Sequence, residues 1–208
     1  MKIVILGATG GTGLEIVRRA IGQGHAVTAF VRSPERLKPL RDRINVRQGN
    51  LLSSSELEQV VKGQDAVLSA FGPRVPIAKT DEHLLRDFAA ALIPAMLRAD
   101  VKRLIVESSA FLFKDSVMPP TYIVGRLLFP SVVADAGAME EIIRSSPLDW
   151  TLIRPPRLTD GPHSHKYRVR EGHLPRFGFF ISRADVADCF LRALGEKKWI
   201  GRIVGVSK

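Results

Sequence analysis

A single cysteine, Cys189, serves a chain of 208 residues, which excludes an internal disulfide. It lies on an apolar-periodic segment, Val186 to Leu194, and reads as a buried, inert thiol. No apolar run reaches the length that spans a bilayer. Histidines are few, and His163, His165 and His173 lack the spacing of a zinc site and any neighbouring cysteine, so no metal is expected. Acidic residues are short of basic ones, 21 against 31, leaving a net charge of +10. The basic residues are scattered, with no long block and no aromatic interleaving, which argues against a nucleic-acid partner. The charge reads as solubility plus a bias toward anionic ligands. A strand that begins at residue 2 leaves no room for a targeting peptide, so a cytoplasmic protein without a membrane partner is expected.

With 45% hydrophobic and 25% charged residues, the composition is that of a globular chain, and its length fits one domain over residues 1–208. Short Val/Ile-rich runs alternate with helical patterns. Strands are expected at residues 2–6, 25–31, 44–48, 66–70, 104–107, 150–153 and 203–206. Helices are expected after Gly13, from Ser33-Pro34 toward Leu40, from a capping box at Ser55 to Glu58 through Val61, over 81–99 with a kink at Pro94, over 136–144, and after an N-cap at Ser182. This predicts an α/β fold, a Rossmann-like doubly wound parallel sheet with helices on both faces and a small C-terminal substrate lobe. Residues 114–130 and 158–180 fit no clean period and read as loops that cover a substrate.

The first thirteen residues carry the strongest signal. An apolar strand runs directly into Gly7-Ala8-Thr9-Gly10-Gly11-Thr12-Gly13, and an amphipathic segment follows. Gly7 allows the tight turn, Gly10 lets a pyrophosphate approach the backbone, and Gly13 lets helix and strand pack closely. Thr9, Gly11 and Thr12 complete the loop. Phosphates would face the free N–H groups at the positive end of the helix.

Ligands of such sheets bind beyond the carboxyl ends of the strands. After the second strand stand Arg32 and Arg36, where an NAD-selective site carries an acid for the ribose hydroxyl. Arginine instead suits a 2′-phosphate, so NADP(H) is the expected cofactor. Asn50 and Leu51 follow the third strand, where an adenine edge is read. Ala70, Phe71 and Gly72 follow the fourth and let ribose and phosphate pass close to backbone, with Arg74 placed to face an anionic substrate. After the fifth come Ser108 and Ser109 beside the expected nicotinamide, then Phe111 and Phe113 as an apolar wall for a flat substrate. Pro155, Pro156 and Arg157 follow the sixth, the prolines turning the chain over the nicotinamide and Arg157 facing the substrate.

The G-x-x-G-x-x-G spacing resembles the short-chain dehydrogenase/reductase superfamily. The further segments Val31-Arg32 through Arg36-Leu37, Gly63 to Val67, Ser109-Ala110-Phe111-Leu112, Pro155-Pro156 and Ile181-Ser182 are similar to its NmrA-like, atypical branch, most of all to the flavin reductase (NADPH), or biliverdin reductase B, type. The resemblance implies NADPH on the glycine loop and Ser109 beside the nicotinamide. It further implies hydride transfer to a planar, anionic acceptor such as flavin, a quinone or a tetrapyrrole. Two departures bear on the acceptor: Glu107 replaces a cysteine of that type, and Arg157 replaces a histidine. Members with a Tyr-x-x-x-Lys pair use the tyrosine as acid. Here Tyr122 is the candidate acid, with Arg126 in place of the lysine, but Pro119-Pro120 precede it and the segment shows no clear helical period. Two other readings remain. One is a non-catalytic NADP-binding redox sensor of the NmrA type. The other is a carbonyl reductase or epimerase that uses Tyr122.

Overall fold

The computed structural model describes residues 1–73, 83–116 and 119–208. Its centre is an eight-stranded sheet built from β1 (Lys2–Leu6), β2 (Ala26–Val31), β3 (Asn45–Gln48), β4 (Ala66–Ser69), β5 (Arg103–Glu107), β6 (Asp149–Arg154), β8 (Arg168–Glu171) and β10 (Arg202–Ser207). The spatial order is β3-β2-β1-β4-β5-β6-β10-β8. Every pairing is parallel except that of β8 with β10. Two further strands, β7 (Arg157–Thr159) and β9 (Phe180–Ser182), form a small separate sheet beyond the end of β6.

Strict alternation along the central strands sorts side chains onto two faces. Ile3 and Ile5 of β1, Leu68 of β4, Ile105 of β5 and Val204 of β10 join one buried cluster with α1 (Gly11–Gly22) and α6 (Arg183–Gly195). Val4, Leu6, Val67, Leu104 and Val106 face the other way. They pack under α2 (Ser54–Val61), α3 (Leu84–Arg98) and α5 (Pro130–Arg144). Both faces are covered, so a doubly wound Rossmann-like fold results.

Local chemistry explains where the helices lie. Ser53 caps α2 by accepting from the Glu56 N–H, two residues earlier than the expected box at Ser55. Ser182 caps α6 by accepting from the Asp185 N–H. α3 runs through Pro94, which has no N–H to donate to the Ala90 carbonyl, and both residues lie on the solvent side.

Two stretches differ from the sequence reading. The 114–130 range is not a loop: it contains α4 (Thr121–Leu128), preceded by Pro119 and Pro120, and the start of α5. Prolines directly before a helix do not break it. The 158–180 range holds the edge strand β8, whose exposed Arg168, Arg170 and Glu171 hid it from a search for apolar runs while blunting the edge.

A buried ion pair ties the ends of β5 and β6 to α5. Glu140 and Arg154 are 3% and 7% exposed, and the guanidinium grips both carboxylate oxygens. The Ser108 hydroxyl donates to the same carboxylate at 2.5 Å, and the guanidinium lies 4.7 Å from the Phe113 ring centre. Glu140→Ala leaves Arg154 buried without its partner and should cost about 3–5 kcal/mol in denaturant unfolding. The paired change Glu140→Leu with Arg154→Met should recover much of that loss. A double variant no more stable than Glu140→Ala would show that the pair is not the source.

Candidate active site

β1 and β4 are neighbours, and the chain leaves their carboxyl ends toward opposite faces. The crevice at this switch point is where the glycine loop lies. Gly7 has a φ of +76°, and a Cβ there would sit 2.7 Å from the Ala70 carbonyl oxygen. A Cβ on Gly13 would lie 2.1 Å from the Gly7 carbonyl oxygen. The loop closes with the Gly10 N–H on the Gly7 carbonyl at 2.9 Å. Both glycines are thus required by contact with backbone.

The start of α1 is bare. Gly10 stands at the N-cap with no side-chain cap, and the first turn holds no acid. The first helical bond runs from the Leu14 N–H to the Gly10 carbonyl, so Gly11, Thr12 and Gly13 have N–H groups with no partner in the helix. This cradle fits a diphosphate: donors, the positive helix end, and no Cβ at Gly10 to fill the space. Arg183, at the start of α6, crosses over Gly11 at the place a Cβ would occupy and pairs with Asp160 at 2.6 Å. Ser182 is legible in the sequence as a helix cap, whereas the reach of Arg183 to Gly11 is set by the packing of α6 beside α1.

Around this cradle, Arg36 donates to the Thr9 carbonyl at 2.7 Å, and so braces the loop. Arg32 is exposed just past β2, its carbonyl accepting from Gln48. Arg32 makes no ion pair among the described residues. Asn50 spends its side-chain oxygen on the Leu52 N–H at 3.0 Å, and Leu51 is buried in the core, so this turn is partly structural. Phe71 packs on Phe88, and Gly72 is open above. Arg74 lies outside the described residues.

At the end of β5, Ser108 and Ser109 diverge. The Ser108 hydroxyl points inward to Glu140, away from the cofactor role expected of it. Ser109 caps the 3-10 turn Ala110–Leu112 by accepting from the Phe111 N–H at 3.2 Å, which leaves its own proton available. The Pro155 carbonyl accepts from the Ala110 N–H at 3.0 Å and joins the β5 and β6 loops. Phe113 is 2% exposed, packed with Ala110 and Leu174, and forms core rather than a substrate wall. Phe111 is half-buried against Gly125 and stacks with Phe129 at 5.8 Å. Arg157 is exposed on β7. Tyr122 and Arg126 come together on α4, one turn apart, with the guanidinium 3.2 Å from the phenol oxygen. That hydrogen bond and the charges of Arg126 and Lys114 pull the phenol below its ordinary pKa. No hydrogen bond links Tyr122 to Ser109 among the described residues.

Glu107 is the group that the residue-by-residue reading left without a role. Alternation along β5 turns it toward α1 and α6, where the Thr12 hydroxyl donates to it at 3.3 Å. Burial raises its carboxyl to about 7, against the smaller opposing pull of Thr12 and Arg183. The folded protein therefore keeps a proton that the unfolded chain releases near 4.5. Stability from this group is complete below that value and falls as pH rises to about 7. Glu107→Gln should flatten the thermal midpoint between pH 5 and 8 and leave the variant more stable than wild type at the upper end. Parallel pH curves for the two proteins would contradict this.

The sequence pattern of the NAD(P)H-binding family matches residues 7–197. The uncharacterised protein YwnB of Bacillus subtilis is 28% identical over 204 residues, covering 93% of this chain and 92% of that protein. A short-chain dehydrogenase/reductase from Veillonella parvula, solved in complex with NADP, superposes with a TM-score of 0.82 at 21% identity, over 100% of this chain and 94% of its own. The anaerobillin reductase ChuY of Escherichia coli superposes with a TM-score of 0.79 at 18% identity, over 100% and 97%. The family match over residues 7–197, with the glycine cradle at the switch point of a doubly wound sheet, places the chain in the NAD(P)H-binding family with a Rossmann-like fold.

Proposed function

We propose that this chain is an NADPH-dependent reductase that passes hydride to a planar acceptor, flavin first, within the NmrA-like atypical group. The partners of Ser109 and Tyr122, which make no hydrogen bond to each other among the described residues, carry this reading. A carbonyl substrate needs a hydroxyl and an acid on one oxygen, but Tyr122 is turned to Arg126 and Ser109 to the Phe111 N–H. A flavin takes hydride at a ring nitrogen and spreads the resulting charge, so water can complete the protonation. Placement then supplies most of the catalysis. The fold likeness to an anaerobillin reductase supports an acceptor that is flat and extended.

NADPH, when bound, supplies the hydride. The N–H groups of Gly11, Thr12 and Gly13 hold its diphosphate, and Arg32 with Arg36 neutralises the 2′-phosphate. Ala70 to Gly72 lets the ribose pass near backbone. Ser109, fixed by the Pro155–Ala110 hydrogen bond and the buried Glu140 beneath, has a proton to offer the nicotinamide amide or the acceptor. The segments 114–130 and 158–180 border the acceptor, with Phe111 and Arg157 as its contacts. Glu107 beside Thr12 bears on the diphosphate: ionised, it repels the anion, and neutral, it does not.

NADPH should bind about tenfold or more tightly than NADH, because one pair of charge-assisted hydrogen bonds contributes about 1.5–3 kcal/mol. Titration of both cofactors with wild type and Arg32→Ala tests it, and the variant should lose the preference. Equal affinities, or an indifferent Arg32→Ala, would contradict the assignment.

With free flavin, Ser109→Ala should lower turnover about tenfold, roughly 1.4 kcal/mol, while Tyr122→Phe changes it little. Steady-state kinetics on both variants decides between readings. Loss of activity in Tyr122→Phe alone would favour a carbonyl reductase or epimerase. Tight NADPH binding with no oxidation by flavins, quinones, tetrapyrroles or carbonyls would favour the redox sensor.

A further inference from the structure

The sheet is fully covered, yet one helix is apolar on its outside. On α4 and directly after it, Ile123, Val124, Leu127, Leu128 and Phe129 are between 38% and 76% exposed. The pairs 123 with 127 and 124 with 128 stack one turn apart, so they form one continuous face. The opposite side is spent: Thr121 and Gly125 are buried, with Gly125 against the Phe111 ring. Isolated exposed apolar residues are ordinary, but a contiguous face marks an interaction surface. A second set, Phe177 and Phe179, is about half exposed or more on the loop before β9. That loop is joined to the segment ahead of α4 by the pairing of His173 with Asp115.

Charge identifies the occupant. Arg126 is exposed on α4 itself, Lys114 lies close enough to act on Tyr122, and Arg176 directly precedes Phe177. The chain as a whole carries +10. An apolar face flanked by arginine and lysine suits an anionic lipid surface, where the rings and leucines enter the acyl boundary and the cations stay at the headgroups. A second copy of this chain fits less well, because each copy brings the same positive charge. No single helix among the described residues is long and apolar enough to cross a membrane; α4 and α5 reach that length and apolarity only as a pair bent by 117°, and α5 is committed to the core through Met139 and Ile143, so a peripheral contact is the one inferred.

We infer that α4 is an interfacial helix that rests this protein on an anionic bilayer. This departs from the sequence expectation of no membrane partner and stands independently of the acceptor. An eight-residue helix gives weak partition alone, so apolar insertion and cation attraction act together.

Co-sedimentation of the full chain with vesicles of phosphatidylcholine and phosphatidylglycerol in equal parts, and with phosphatidylcholine alone, tests the inference. The chain should pellet with the anionic vesicles and stay in solution with the neutral ones, and added salt should release it. The neutral double change Leu127→Gln with Leu128→Gln should lower the partition coefficient roughly tenfold. Its thermal midpoint should be unchanged, which separates lost binding from lost fold. A wild-type chain that remains in solution at low salt would overturn the inference, as would a double variant that binds as tightly as wild type. A wild-type dimer in sedimentation equilibrium that the double variant dissolves would assign the face to self-association instead.

Discussion

Three stretches of backbone meet too closely at the centre of this fold to admit a side chain. A Cβ on Gly13 would press on the Gly7 carbonyl, and one on Gly7 would press on the carbonyl of Ala70. The start of α1 is therefore packed directly against the ends of β1 and β4. The remaining N–H groups of its first turn project into the crevice between the two halves of the sheet. Everything proposed for the site depends on that approach, because it turns a helix end into an anion cradle without a lysine or a metal.

The charges around the cradle are arranged unevenly. Arg36 braces the loop through the Thr9 carbonyl, and Arg183 lies across Gly11 with Asp160 behind it. Against these stands Glu107, close under Thr12 and pushed by burial toward the neutral form. A second buried acid, Glu140, takes the opposite solution: it meets Arg154 and the Ser108 hydroxyl and anchors the loops that carry Ser109 and Pro155. One acid thus lies beside the bare helix end and is held toward its neutral form by burial, while the other holds the scaffold.

Much of the fold is written in local patterns. The glycine spacing, the alternation of Val/Ile runs with helical periods and the cap at Ser182 are short-range signals, and the parallel sheet follows from them. What escaped is governed by tertiary context. α4 is only eight residues long and follows Pro119 and Pro120, which hid it, and β8 is charged because it is an edge. Phe113 and Phe111 have the same chemistry and near-adjacent positions, yet one is core and the other packs on α4. Arg183, Glu140 and Arg154 become partners of the site only when α5, α6 and β6 are brought together across the sheet. Nothing in their spacing announces it.

The central claim is that the bare end of α1 holds the diphosphate of NADP(H). Gly10 offers a direct probe, since its backbone is extended and a Cβ would come no closer than 3.2 Å to the Gly7 oxygen, a contact the loop can relax. A valine there keeps the fold but fills the space above the loop. Calorimetric titration of Gly10→Val with NADPH should show a loss of roughly a hundredfold in affinity, about 2.7 kcal/mol, with an unchanged circular dichroism spectrum. A folded variant that binds NADPH as tightly as wild type would contradict the account.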